Sequence, residues 1–165
     1  MSRTVRALVA IVLLVSTGGS PAGSSSRDAA VSQLLALHAE VIAAHLAGDA
    51  TMIVGRESGD YVVANRGEIS FPSLEQRSAR LGGYLRTTRF TEYRDLIEPV
   101  VQVSPDGRLG WVIAQVGAKG VQEKGDGTSA RIEYISAWIE LYENRDGRWF
   151  RVGNVSNFKP EEDGN

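Results

Sequence analysis

The chain of 165 residues contains no cysteine at all. That excludes disulfides, thiolate metal sites, a thiol nucleophile and attachment of a lipid through cysteine. Histidine is almost as scarce, with only His38 and His45 in the sequence. Seven residues apart on a helix, they share a face but stand about 10.5 Å apart along the axis, too far to hold one metal ion together; helical zinc pairs use i, i+4 spacing. Basic excess is lacking too. The 18 Lys and Arg face 20 Asp and Glu, and the local run Arg77, Arg80, Arg86, Arg89 and Arg94 reads as a solvated helix face, which argues against nucleic acid. No Walker loop, dinucleotide fingerprint or EF-hand loop occurs, and Gly55-Arg56-Glu57-Ser58-Gly59 puts its serine one position late for a nucleophile elbow. No metal and no cofactor are therefore expected.

What is present begins with a targeting pattern. Arg3 and Arg6 precede nine apolar residues, Ala7 to Val15, and a Ser/Gly/Pro stretch follows, the layout of a secretory signal peptide too short to span a bilayer. Cleavage after Ala22 predicts a secreted or periplasmic product that is free of the membrane, with 143 residues (165 − 22) for one domain.

Along the mature chain, residues 23–28 read as a flexible lead-in. Val31, Leu34, Leu35, His38, Val41, Ile42 and His45 then recur at helical spacing up to Gly48, and Asp49 opens a short helical turn to Val54. Gly55 to Gly59 reads as a loop. Asp60–Ala64 and Glu68–Phe71 flank the turn Asn65-Arg66-Gly67, and Ser73 with Gln76 forms a capping box for a helix to about Leu85. Three Asp-Gly pairs at 106, 126 and 146 then punctuate runs of β-branched and aromatic residues. Tight hairpin turns need φ > 0, which Gly adopts freely and Asp tolerates. They predict a meander of strands over 95–103, 108–122, 129–143 and 148–158, with an acidic, disordered tail over 159–165.

This order of elements resembles the nuclear transport factor 2-like (NTF2-like, SnoaL-like) superfamily. The resemblance is carried by the helix end Ala43-Ala44-His45-Leu46-Ala47-Gly48-Asp49-Ala50, by Asn65-Arg66-Gly67-Glu68, and by Asp146-Gly147-Arg148-Trp149 with Asn154 to Phe158. It implies an α+β cone over residues 29–158: a curved antiparallel sheet wrapped around N-terminal helices, a pocket inside, and an outer sheet face that often forms a homodimer. The superfamily spans isomerases, hydratases, polyketide cyclases, transport factors and kinase hub domains, so fold alone names no reaction. Related association domains carry alternating histidines after the Asp-Gly-x-Trp turn; here Gly153, Asn154 and Val155 stand instead.

Strand alternation divides the last hairpin into two faces. Pairing Glu143 with Arg148 puts Tyr134, Trp138, Tyr142, Trp149 and Arg151 on one face, expected as a dimer interface. The aliphatic face, with Asn154 and Ser156 as its polar pocket residues, is expected as core. His38 and His45 are the other ligand-binding candidates, although a histidine on an apolar helix face is more often a buried, hydrogen-bonded side chain. Asp60 occupies the approximate position of the carboxylate base in cone-fold isomerases. Three readings stay open: a small-molecule binding protein acting as a homodimer, a cofactor-free isomerase, hydratase or cyclase moving a proton with Asp60, His38 or His45, and an interaction module using the sheet face.

Overall fold

Two adjoining caps fix the first bend of the chain. Helix α1, Ala22–Ala47, ends where Gly48 takes φ 70, and the backbone N–H groups of Gly48 and Asp49 donate to the carbonyls of His45 and Ala44. This closing motif needs a residue that tolerates the left-handed region, which glycine supplies without strain. Asp49 then caps α2, Ala50–Val54, by accepting from the Met52 N–H at 3.0 Å. The computed structural model describes residues 22–158. The expected signal segment, apart from Ala22, and the tail from Lys159 lie outside the described residues.

The stretch expected as a flexible lead-in is helical. Once Leu34, His38, Val41 and Ala44 are packed, extending a helix backwards costs little per residue, and Arg27 anchors that end by donating to Gln102 at 3.1 Å. The segment Ser26–Ala47 is long and apolar enough to cross a membrane, with a mean hydropathy of 1.4, and is compatible with a signal segment or anchor. Its buried stripe gives the same apolarity a second cause, because it faces the sheet.

Strand β1 (Glu57–Asn65) starts inside the expected loop and turns into β2 (Glu68–Ser70) through Arg66 and Gly67, both at positive φ. Helix α3 (Leu74–Thr87) opens on the reciprocal Ser73–Gln76 capping box. Of the strand expected over 95–103, only Asp95, the last residue of β3 (Thr88–Asp95), and Val100–Val103, which form β4, are extended, and both strands run antiparallel to the long β5 (Leu109–Glu123). Pro99 lies in the break, where a missing N–H costs no ladder bond. Strands β6 (Ser129–Arg145) and β7 (Arg148–Phe158) complete the meander, and all three Asp-Gly pairs sit in its hairpin turns.

The sheet has the order β2-β1-β7-β6-β5-β3, with β4 also on β5. It is mixed rather than antiparallel, because β1 lies parallel to β7. It is also curved and unclosed, and its inner face carries Val112, Ala114, Val116 and Ala118 of β5 against Leu34, Ala44, Ile53 and Leu85 of the helices.

One bulge decides what β7 presents. Leu141 pairs Gly153 but Tyr142 pairs Arg151, so Val152 is an extra residue. Beyond it the alternation reverses, and Trp149, Arg151, Asn154 and Ser156 all fall on the inner side, a re-aiming that bulges characteristically produce.

Candidate functional site

The inner face of β6 and β7 is the face of Tyr134, Ser136, Trp138, Glu140 and Tyr142, and it packs against the helices. The dimer interface expected at Trp138, Trp149, Tyr134, Tyr142 and Arg151 is thus corrected: Trp138, Tyr142, Trp149 and Arg151 are buried, and Tyr134 is half-buried. The helices cover only one face of the sheet, and these large rings bury more apolar area there than the aliphatic set would. Arg151 is admitted because its charge is matched inside.

Between the helices and this face lies an open cleft of about 1480 Å3. Ile53, Val63, Leu81, Tyr84, Tyr93, Tyr134 and Trp138 supply its apolar and aromatic wall, and His45, Asn65, Asn154 and Ser156 supply polar groups. A separate depression of about 640 Å3, between Asp106–Arg108 and Glu143–Gly147, is made of two hairpin turns and the end of β6.

The cleft floor is ionic. Glu57 accepts from the Arg151 Nη2–H at 2.8 Å, and its other oxygen lies 2.7 Å from Arg77 Nε. That second contact is an ion pair without hydrogen-bond alignment, since neither atom has a hydrogen-bond partner. Arg151 continues to Glu140 at 3.8 Å, and Glu140 accepts from Trp138 Nε1 at 3.0 Å and from the Tyr142 hydroxyl at 2.7 Å. Behind Glu140, His38 Nδ1 lies at 3.3 Å, and its Nε2 lies 3.0 Å from Asp95 Oδ1. The guanidinium groups of Arg77 and Arg151 also stand 4.9 and 5.9 Å from the Tyr61 ring centroid.

This chain of alternating charges explains the ionisation of its members. Burial of Glu140 works against its charge, but His38, Arg151 and Tyr142 outweigh it and hold the carboxyl below its ordinary range. Burial likewise opposes charge on His38, and Glu140 and Asp95 overcome it, so its pKa is raised. Burial pushes the Tyr61 hydroxyl up to about 12.

His45 is the opposite case. Burial, the largest influence, pushes it down to about 4. Its Nδ1–H donates to the Val41 carbonyl at 2.8 Å, and its ring stacks on Tyr93 with centroids 4.3 Å apart. The Tyr134 hydroxyl interacts with those of Tyr84 and Tyr93, and burial pushes Tyr93 and Tyr134 above the ordinary phenol range.

The other expected site residues separate. His45, Asn154 and Ser156 line the cleft. Asn154 and Ser156 reach it through the Val152 bulge rather than through an aliphatic core face, and Asn154 Nδ2–H donates to Ile139 O at 3.5 Å. His38 does not line the cleft: it is 2 % exposed, and both ring nitrogens are taken by carboxylates. Asp60 is outside altogether, with a side chain 72 % exposed and paired to Arg145 at 3.2 Å; its acidity is raised by Ser58, its own backbone and Arg145. Sequence reasoning missed Glu140 and placed Arg77 on a solvated face, where in fact it is buried against Glu57. The alternation Trp138, Glu140, Tyr142 was the available signal, since a carboxylate between two indole or phenol donors on one strand face fits an interior position.

No protein-family model matches the chain, and no curated protein matches it by sequence. Solved structures do resemble it. An NTF2-like protein from Cytophaga hutchinsonii is 11% identical, with a TM-score of 0.62 over 78% of this chain and 97% of that one. A ketosteroid isomerase-like protein from Erwinia carotovora atroseptica is 15% identical, with a TM-score of 0.61 over 79% and 97%. An NTF2-like protein of unknown function in nutrient uptake from Rhodospirillum rubrum is 15% identical, with a TM-score of 0.61 over 77% and 98%. With helices first, then a curved mixed sheet and a pocket between them, the chain has the nuclear transport factor 2-like fold, an α+β cone.

Proposed function

We propose that the protein is exported through its N-terminal signal and acts as a homodimeric binding protein that holds a small, partly apolar molecule in the cone. The observation that carries this reading is the cleft itself. Its walls are aromatic and aliphatic, and its buried charges are matched among themselves. Such a site binds by area and a few placed polar groups, the usual constitution of small-molecule sites.

The dimer half of the proposal rests on the outer face of the sheet. Ile113 pairs Ile139, Trp111 pairs Leu141, and Val100 and Val155 extend the same row onto β4 and β7. Val100, Ile113, Leu141 and Val155 are exposed, and a contiguous apolar patch of this kind usually marks a contact. The same patch is where an interaction module would recruit a different protein.

A proton-transfer enzyme is the second reading. His45 is the one expected acid or base that opens on the cleft, with the Tyr84, Tyr93 and Tyr134 hydroxyls in the same wall. Asp60 and His38 have no place in it.

Native mass spectrometry of the protein purified from its own host tests the leading reading. A dimer carrying a reproducible extra mass supports it. A monomer without added mass opposes both halves.

A further inference from the structure

We infer that the cleft selects a neutral molecule with an apolar body and a hydroxyl or N–H donor directed at His45 Nε2, an assignment that rests on the cleft-binding reading above.

The first support is the fixed tautomer of His45. The Val41 carbonyl can only accept, so the nitrogen 2.8 Å from it carries the hydrogen. In the neutral ring, Nε2 is then an acceptor, and among the described residues no hydrogen bond to it is found. Burial keeps the ring neutral at ordinary pH. Stacking on Tyr93 and the edge contact with Phe90 hold the imidazole in place. The acceptor is therefore oriented before any ligand arrives, which lowers the cost of binding.

Charge matching is the second support. At the floor, Glu57 and Glu140 face Arg77 and Arg151. Arg66, Arg80, Glu68 and Glu133 also line the cleft, two residues of each sign, with Glu133 paired to Lys119 at 3.4 Å. An anionic ligand at the floor must take Arg151 from buried carboxylates, and a cationic one must take a carboxylate from buried guanidinium groups. Either exchange leaves a buried charge unpaired, the expensive outcome. A neutral donor disturbs none of these pairs.

A third observation has the same polarity. Among the enclosed cleft-lining atoms without a hydrogen-bond partner, the Nε–H groups of Arg77 and Arg151 belong to guanidinium groups already ion-paired with Glu57 and Glu140, whereas the Asn65 side-chain oxygen has neither a donor nor a charge partner. Its unmet demand, like that of His45, is for an O–H or N–H group.

The test uses three probes with one bicyclic body: 2-naphthol, 2-methoxynaphthalene and 2-naphthoate, which are a neutral donor, a neutral non-donor and an anion. Dissociation constants are measured by equilibrium dialysis at pH 7 with the wild-type protein and with His45→Phe, which keeps a ring against Tyr93 and removes the acceptor. The wild type is expected to bind 2-naphthol about tenfold more tightly than the ether, the scale of one hydrogen bond, with the carboxylate weakest. In His45→Phe, 2-naphthol and the ether should bind alike. Equal binding of alcohol and ether by the wild type, a preference that survives in the variant, or tightest binding of the carboxylate overturns the donor assignment while leaving the cleft reading in place. Failure of all three probes to bind removes the cleft reading, and this assignment with it.

Discussion

His38 and Glu140 meet in the interior with Nδ1 and Oε1 3.3 Å apart, while the other nitrogen of the same ring lies 3.0 Å from Asp95. Ionised carboxylates only accept hydrogen bonds, so a ring held between two of them is held as the imidazolium. Glu140 and Asp95 face it directly, and Arg151 stands beyond Glu140.

This contact has a pH signature. The folded pKa of His38 lies above its ordinary value of 6.5, so its stabilisation is complete below pH 6.5 and is lost as pH rises through the folded value. Urea unfolding between pH 6 and pH 9 should show stability falling on the alkaline side. His38→Gln should flatten that slope, and an equally steep slope in the variant would assign the dependence to another group.

Glu140 is the member whose loss is felt most widely. Glu140→Gln removes the charge that faces both Arg151 and His38, and breaking one partner of a buried pair costs about 3–5 kcal/mol. The urea midpoint should drop accordingly while the m-value stays unchanged. A loss below about 1 kcal/mol would mean that Glu57 and Asp95 suffice to balance the interior.

On the outer face, Ile113→Glu places a charge in the middle of the apolar row, directly opposite Ile139. Light scattering coupled to size exclusion should then report a dimer for the wild type and a monomer for the variant, with 2-naphthol binding retained. A wild-type monomer would remove the self-association proposal.

Asp60 supplies a prediction of no effect. Its partner Arg145 is itself 40 % exposed and also pairs with Glu143, and an exposed pair of this kind contributes little. Asp60→Ala should leave ligand binding unchanged and shift stability by less than about 0.5 kcal/mol. Lost binding in calorimetry would return this carboxylate to the site.

The helices, caps and hairpins were legible because each has a local cause. The Ser73–Gln76 box, the Gly48 cap and the Asp-Gly turns are written in residues at fixed offsets. The face of the sheet was not. Expected and observed pairings of the last hairpin differ by two residues near the turn, which keeps Trp149 and Arg151 beside Trp138, and the Val152 bulge then brings Asn154 and Ser156 to the same side. Nothing local announces that extra residue. The inside was misjudged because Arg151 looks like a solvent residue until Glu57, 94 positions away, pairs with it, and Glu140 does so until Arg151 and His38, the latter 102 positions away, face it. The same long-range pairing drew Arg77 from its expected solvated face.

Crystallography of the protein isolated from its own host puts the central claim to its most direct test. The account predicts density for a small organic molecule in the cleft, with a donor atom within hydrogen-bond distance of His45 Nε2 and its body against Tyr93 and Trp138. A bound molecule seated elsewhere, or a cleft filled only by ordered water, would contradict it.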